Sequence, residues 1–270
     1  VSGSHVYRGT VLITGGSGAL AGHLARWVAE RGAEHVALAS RRGADAPGAA
    51  ELSATLEALG VGVTHWACDV SLRADVESLI RGVDAACPEL RAVMHLAGVG
   101  SNSPVSSLSD DELGRELSVK VGGAEHLHAV LGDRPLDAFV LYGSGAALWG
   151  GATQGAYGAA NAGLDGLARH RRGLGLPALV VHWGSWAEGG MLTSEADAFL
   201  KRRGVRAMAP HKALRGLDLA LRSGRVSLGV FDMDWSLFGP VYSAARVRPL
   251  LHEIAEARQA LEVSKSEVVA

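Results

Sequence analysis

The chain is poor in the groups that staple a protein, anchor it or attract partners by bulk charge. Among its 270 residues the only cysteines are Cys68 and Cys87, and their spacing suits neither a metal nor a redox motif. A disulfide framework is therefore excluded and a reducing compartment, the cytoplasm, is favoured. No apolar run reaches about 18 residues, so no membrane-spanning helix is expected. The start, Val1 to Thr10, lacks the charged and apolar regions of a secretory signal. The formal charge of -2 gives no bulk reason to bind nucleic acid or an anionic membrane. Repeats, linkers and low-complexity tracts are missing too. His126 and His128 stand two apart in a helical stretch and so point to different faces, and no metal site is predicted.

What is present is a well-filled globular chain, 48% hydrophobic and 20% charged. Short apolar runs alternate with helical periodicity. Strands are predicted at Val11 to Ile13, His35 to Ser40, Gly62 to Trp66, Leu90 to Leu96, Ala138 to Tyr142, Ala178 to Trp183 and Val226 to Phe231. Helices fall between them, including a long one from Asp110 to Leu131 with Ser109 as N-cap and another from Gln154 to Leu174. Strands apolar throughout and separated by helices imply parallel pairing with both faces covered, so the predicted fold is a doubly wound α/β sheet of Rossmann type. One catalytic domain is expected over residues 11–262, after a lead-in of residues 1–10, with a flap over about 188–205 and a polar disordered tail at 263–270.

Directly after the first strand, Thr14-Gly15-Gly16-Ser17-Gly18-Ala19-Leu20 forms a turn that presents backbone N–H groups at a helix N-terminus, suited to a pyrophosphate. Ser40-Arg41-Arg42 ends the second strand where an acidic residue would otherwise meet a ribose hydroxyl, and an Arg there pairs with a 2′-phosphate, favouring NADPH. Asp69, followed by Val70, is placed either to accept from an adenine amino group or to cap the next helix. Ala97 and Gly98, after the fourth strand, offer a small surface on which a cofactor can lie.

A proton-donating site is predicted from spacing. Tyr157 and Asn161 are one helical turn apart and share a helix face. Ser144 sits just beyond the fifth strand, and Lys120 lies on the preceding long helix. A ketone accepting hydride needs one donor to polarise it and one to protonate it, tasks suited to Ser144 and Tyr157. A phenol with its ordinary pKa of about 10 is a poor match to neutral pH, so Lys120 is expected to lower it. Asn161 is expected to hold a water or the lysine in a proton relay.

These segments resemble the ketoreductase domains of modular polyketide synthases, within the short-chain dehydrogenase/reductase superfamily. The resemblance runs from about Gly9 to Glu256. It rests on the glycine loop, Ala39 to Gly43, Cys68-Asp69-Val70, His95-Leu96-Ala97-Gly98-Val99, Val119-Lys120-Val121, Gln154 to Ala162 and Trp183-Gly184-Ser185-Trp186. Most of the superfamily carries Lys four residues after the Tyr; this branch has Asn there and takes its Lys from the earlier helix, matching Asn161 and Lys120. The resemblance implies reduction of a β-ketoacyl thioester, borne on the phosphopantetheine of an acyl carrier protein, to a β-hydroxyacyl thioester by NADPH. Trp149, eight residues before Tyr157, marks the A-type class with its L-hydroxyl product, and Gln154 marks the non-epimerising subtype. Gly184 and Ser185 are expected near the cofactor, and Met191 of the flap near the substrate. Ala21 and Ser185 depart from the family's usual glycine and proline. An N-terminal structural subdomain and neighbouring synthase domains are expected as partners. The alternative is a redox-inactive or epimerising remnant with a structural role.

Overall fold

The computed structural model describes residues 6–100, 102–189 and 194–269. In chain order it forms β1 (Thr10–Thr14), α1 (Ala19–Ala29), β2 (His35–Ser40), α2 (Ala49–Ala58), β3 (Gly62–Ala67), α3 (Arg73–Ala86) and β4 (Leu90–His95). There follow α4 (Asp110–Leu117), α5 (Gly123–Leu131), β5 (Ala138–Ser144), α6 (Ala146–Trp149), α7 (Gly155–Gly173) and β6 (Leu179–Trp183). The remainder is α8 (Ser194–Arg202), β7 (Val205–Arg206), α9 (Pro210–Arg222), β8 (Ser227–Val230), β9 (Asp232–Met233), α10 (Trp235–Ser243) and α11 (Ala255–Val269). The chain divides into two compact units: Val1–Trp183 with Leu214–Val230, and Gly184–Ala213 with Phe231–Ala270.

The first unit is built on a seven-stranded sheet in the order β3-β2-β1-β4-β5-β6-β8. All of its pairings are parallel. Every residue of β1 and β6 is buried, as both-face coverage by helices requires. Leu12, Val93, Phe139, Leu141 and Val180 form the sheet side of a core that Val76, Leu79, Leu127 and Leu164 complete from the helices. The winding direction reverses between β1 and β4, which opens a crevice at the carboxyl ends of those strands. Thr14 and His95 are partners there, as are Ser144 and Trp183 further along the same edge. The doubly wound parallel sheet expected from the sequence is what forms.

Three local differences from the sequence reading have physical causes. The helix expected over 110–131 is interrupted: α4 starts from a reciprocal capping box between Ser109 and Glu112, then Ser118–Gly122 forms a π turn before α5 resumes. Lys120 sits at the middle of that turn. Arg171, an arginine and so expected at the surface, is fully buried. It lies 3.9 Å over the Phe139 ring and donates to the Pro177 carbonyl and to His128 Nδ1, so part of its donor set is satisfied inside. The tail expected to fray from Ser264 is instead helical through Val269, in keeping with the helix-forming Ala, Glu and Lys of α11.

In the second unit β7 and β9 pair antiparallel, and Trp186 bridges to Met208. Asp234 caps α10 by accepting from the Ser236 N–H, and its own N–H donates to the Gly204 carbonyl at 2.7 Å.

Leu12 is completely buried in the central strand. Leu12→Ala is therefore expected to cost ~2–5 kcal/mol, read as a lower denaturation midpoint with an unchanged slope; a loss under ~1 kcal/mol would contradict a tightly packed centre.

Candidate active site

The glycine loop is shaped by close approach. Gly15 has φ +70°, and a Cβ there would lie 2.8 Å from the Ala97 backbone nitrogen, so only glycine lets the loop rest against the segment after β4. Gly16 N–H donates to the Ala39 carbonyl, and Gly18 N–H to the Gly15 carbonyl. Gly18 is the N-cap of α1 and supplies no side-chain cap, so the first turn keeps donors available for an anion. Beside it is a cavity of about 250 Å³, lined among others by Gly16, Ser17, Gly18, Ser40, Gly43 and His65. Leu20 is half-buried in the first turn of α1.

The neighbouring strand ends carry the residues expected to read the rest of a dinucleotide. Ser40 ends β2, and exposed Arg41 follows it. Asp69 Oδ1 accepts from both the backbone N–H and the hydroxyl of Ser71. Those bonds, with the Arg41 charge contributing, hold the Asp69 carboxyl below its ordinary range although burial opposes them. Asp69 thus closes a local turn through Oδ1 and does not cap α3, whose N-cap is Leu72 and has no side-chain cap. Val70 packs on Gly123, and its carbonyl lies 3.0 Å from His126 Nδ1. Ala97 and Gly98 border the same crevice, and a Cβ on Gly98 would come within 2.7 Å of Lys120 Nζ. The loop donors and the cavity beside them fit a nicotinamide dinucleotide.

Ser144, Tyr157 and Asn161 are brought together as expected. Ser144 Oγ accepts from the Ala146 N–H at 3.2 Å, which leaves its own O–H free to donate. Asn161 Nδ2 donates to the Tyr157 carbonyl at 2.8 Å, while its buried Oδ1 has no hydrogen-bond partner among the described residues. Lys120 is buried and donates from Nζ to the Tyr142 carbonyl at 3.1 Å.

The electrostatics correct one expectation. The Tyr157 phenol is not acidified by Lys120: burial pushes its pKa above the ordinary 10, hydrogen bonding with Ser144 and Asn161 offsets this only in part, and the charge of Glu116 pushes the same way as burial. The Lys120 ammonium is itself desolvated, and its pKa is drawn down to about 8 against the pull of buried Glu116. In this structure Tyr157 is a neutral acid and Lys120 an easily deprotonated cation.

Trp149 closes α6 half-buried, and Gln154 is the N-cap of α7, three residues before Tyr157. Gly184 and Ser185 open the second unit, where the Ser185 carbonyl accepts from the Met208 N–H. Met191 lies outside the described residues. The sequence reading assigned no role to His95. This ring is wholly buried, with Nε2 at 3.0 Å from the Lys120 carbonyl and Nδ1 at 2.8 Å from Thr14 Oγ1. Because a carbonyl only accepts, Nε2 carries the proton and the Thr14 hydroxyl donates to Nδ1. Burial and the nearby Lys120 charge draw the His95 pKa down to about 3, so the ring is neutral. A histidine directly after the apolar run Ala92-Val93-Met94 was the available signal, since a buried polar group requires partners.

The family model for the KR domain matches residues 9–188. The chain belongs to the KR domain family. KR domains are ketoreductases with the short-chain dehydrogenase/reductase fold, and this KR domain is accordingly an oxidoreductase. It is 49% identical over 92% of its length to 3% of polyketide synthase GfsA of Streptomyces halstedii. It is 47% identical over 94% of its length to 16% of the pikromycin polyketide synthase component PikAIII of Streptomyces venezuelae. A solved A1-type ketoreductase superposes with a TM-score of 0.90 at 46% identity, covering 96% of this chain and 55% of that one. The KR domain thus spans a small fraction of these synthases. Among the described residues no helix is long and apolar enough to cross a membrane.

Since burial holds the Tyr157 phenol above its ordinary value of 10, an ultraviolet difference titration between the native chain and Tyr157→Phe is expected to place its ionisation above pH 10. Phenolate signal appearing near neutral pH would contradict this electrostatic arrangement.

Proposed function

We propose that this KR domain reduces a β-ketoacyl thioester, carried on the phosphopantetheine of an acyl carrier protein, to the L-β-hydroxyacyl thioester with NADPH and without epimerising the α-carbon. The observation that carries the reading is the convergence of the Ser144 and Asn161 side chains on the Tyr157 phenol, at the carboxyl end of β5 and one turn into α7. The glycine loop and the first turn of α1 would hold the pyrophosphate, Arg41 a 2′-phosphate, and Asp69, Val70, Ala97 and Gly98 the flanking groups. Gly184 and Ser185 are proposed to complete the nicotinamide end.

NADPH, when bound, supplies the hydride. Ser144 O–H donates to the ketone oxygen and draws electron density from the carbonyl carbon. Tyr157 O–H donates its proton to the oxygen as negative charge develops there; because burial keeps the phenol protonated, the acid is present throughout the neutral range. Lys120, with a pKa of about 8, is a proton source close to working pH, and the unsatisfied Asn161 Oδ1 is an acceptor for a water that returns a proton to Tyr157. Trp149, on the short helix that follows Ser144, is proposed to select which ketone face is presented. Gln154 is assigned to the non-epimerising outcome, and Met191 to substrate contact. The similarity to an A1-type ketoreductase supports this stereochemical reading. The remaining proposed partners are a structural KR subdomain and the neighbouring synthase domains, in the cytoplasm.

The chain supplied with NADPH and a β-ketoacyl thioester is expected to consume NADPH and yield the L-alcohol on chiral analysis. Exchange of the α-proton without NADPH consumption would replace this reading with that of an epimerising remnant, and a D-alcohol would overturn the role of Trp149. Tyr157→Phe is expected to lower kcat ~10²–10⁴-fold. Arg41→Ala is expected to raise KM for NADPH ~10–100-fold while leaving KM for NADH nearly unaltered, the worth of one or two charge-assisted hydrogen bonds.

A further inference from the structure

His182, in β6, is completely buried, and its ring occupies space that residue 143 leaves open. Gly143 and His182 are register partners on β5 and β6, and a Cβ on Gly143 would come within 2.7 Å of His182 Nδ1. That nitrogen lies 3.2 Å from the Ser144 carbonyl oxygen, and Nε2 lies 3.0 Å from Asp165 Oδ2. A carbonyl only accepts, so Nδ1 carries a proton and donates it to Ser144. A carboxylate and a bare ring nitrogen at 3.0 Å would oppose lone pairs, so a second proton lies between Nε2 and Asp165. Asp165 belongs to α7, one turn beyond Asn161 and two beyond Tyr157. Burial pushes the Asp165 carboxyl up, but hydrogen bonds with His182 and Ser227 and the charges of His182 and Arg169 outweigh it and hold the group below the usual carboxylate range.

We propose that His182, held by Asp165, is a positioning residue for Ser144: its Nδ1–H fixes the Ser144 carbonyl and so the direction in which the Ser144 hydroxyl is offered to the substrate. The bridge also ties the end of β5 to α7, the helix bearing Tyr157 and Asn161. Three anchors then converge on the turn that carries Ser144: the Nδ1 bond to its carbonyl, the Ala146 N–H to its Oγ, and the Gly145 N–H to the Trp183 carbonyl at 2.9 Å. The inference rests on Ser144 being the ketone-polarising group of the proposed reaction.

Two substitutions separate the two ends of the ring. His182→Asn places an amide nitrogen where Nδ1 stood and can still donate to Ser144; His182→Gln reaches Asp165 but leaves the Ser144 carbonyl without its donor. His182→Asn is expected to keep kcat within ~threefold of the native chain, whereas His182→Gln loses ~10–100-fold in kcat with KM within ~twofold, as a misaimed group does. Thermal midpoints of the two should fall together, since each underfills the same buried space. Equal kcat in both variants, or losses that follow thermal stability, would overturn the proposal. If neither variant folds, the ¹⁵N spectrum of the native histidines decides: a protonated, hydrogen-bonded His182 Nδ1 supports the bridge, and an unprotonated one sinks it. A native chain that fails to reduce the ketothioester refutes the ketoreductase reading instead, while the ¹⁵N measurement still reports on the bridge.

Discussion

The structure of the reactive edge depends on pairing the ring and hydroxyl groups that the parallel sheet takes out of water at its strand ends. Burying a donor or acceptor without a partner costs ~1–3 kcal/mol, and several such groups gather where β1, β4, β5 and β6 end. His95 resolves the most demanding case. Neutral and fully buried, it takes the Thr14 hydroxyl on one side and gives its proton to the Lys120 carbonyl on the other. A single ring thereby connects the strand that opens the glycine loop, the strand beside the crevice and the π turn that holds Lys120. If that ring were charged, the Nε2 bond to the Lys120 carbonyl would stand but the Thr14 bond would have to reverse, because the hydroxyl would meet a donor instead of an acceptor.

Dryness also sets the chemistry of the acid groups. A desolvated phenol resists ionisation and a desolvated ammonium gives up its proton readily, so burial moves Tyr157 and Lys120 in opposite directions on the pH scale. In the proposed reaction the pair would hand protons outward from lysine to phenol to alkoxide, with no standing phenolate. Glu116 moderates this by holding charge near Lys120. In the proposed reaction proton supply and cofactor binding are separate duties, one falling to the helices that flank the sheet and the other to the loop at its centre.

Much of the frame was legible in the chain because it follows from periodicity and glycine placement. Apolar runs of strand length, the turn after β1 and the one-turn spacing of Tyr157 and Asn161 all carry their geometry in the sequence. The π turn was not legible, since the helical pattern continues through Ser118–Gly122 and one extra residue per turn leaves no compositional mark. Arg171 reads as a surface cation until Phe139, Pro177 and His128 are seen to enclose it. The coupling of Lys120 to Tyr157 was misjudged for a related reason: proximity of charge was inferred from chain position, whereas desolvation, which spacing does not encode, decides the outcome. His95 and His182 sit in strands where they count as interruptions of an apolar run, and only the facing strands and helices reveal what each one bonds.

The π turn makes residue number, more than residue type, the guarded quantity in this stretch. Shortening Ser118–Gly122 by one position would let α4 and α5 fuse into a regular helix, swinging Lys120 by about 100° around the axis relative to α5. Its ammonium would leave Gly98 and the Tyr142 carbonyl, and the His95 ring would lose its acceptor. Descendants of this chain can therefore vary side chains along the stretch with some freedom, but a single-codon deletion there removes the lysine from its post without altering any catalytic residue.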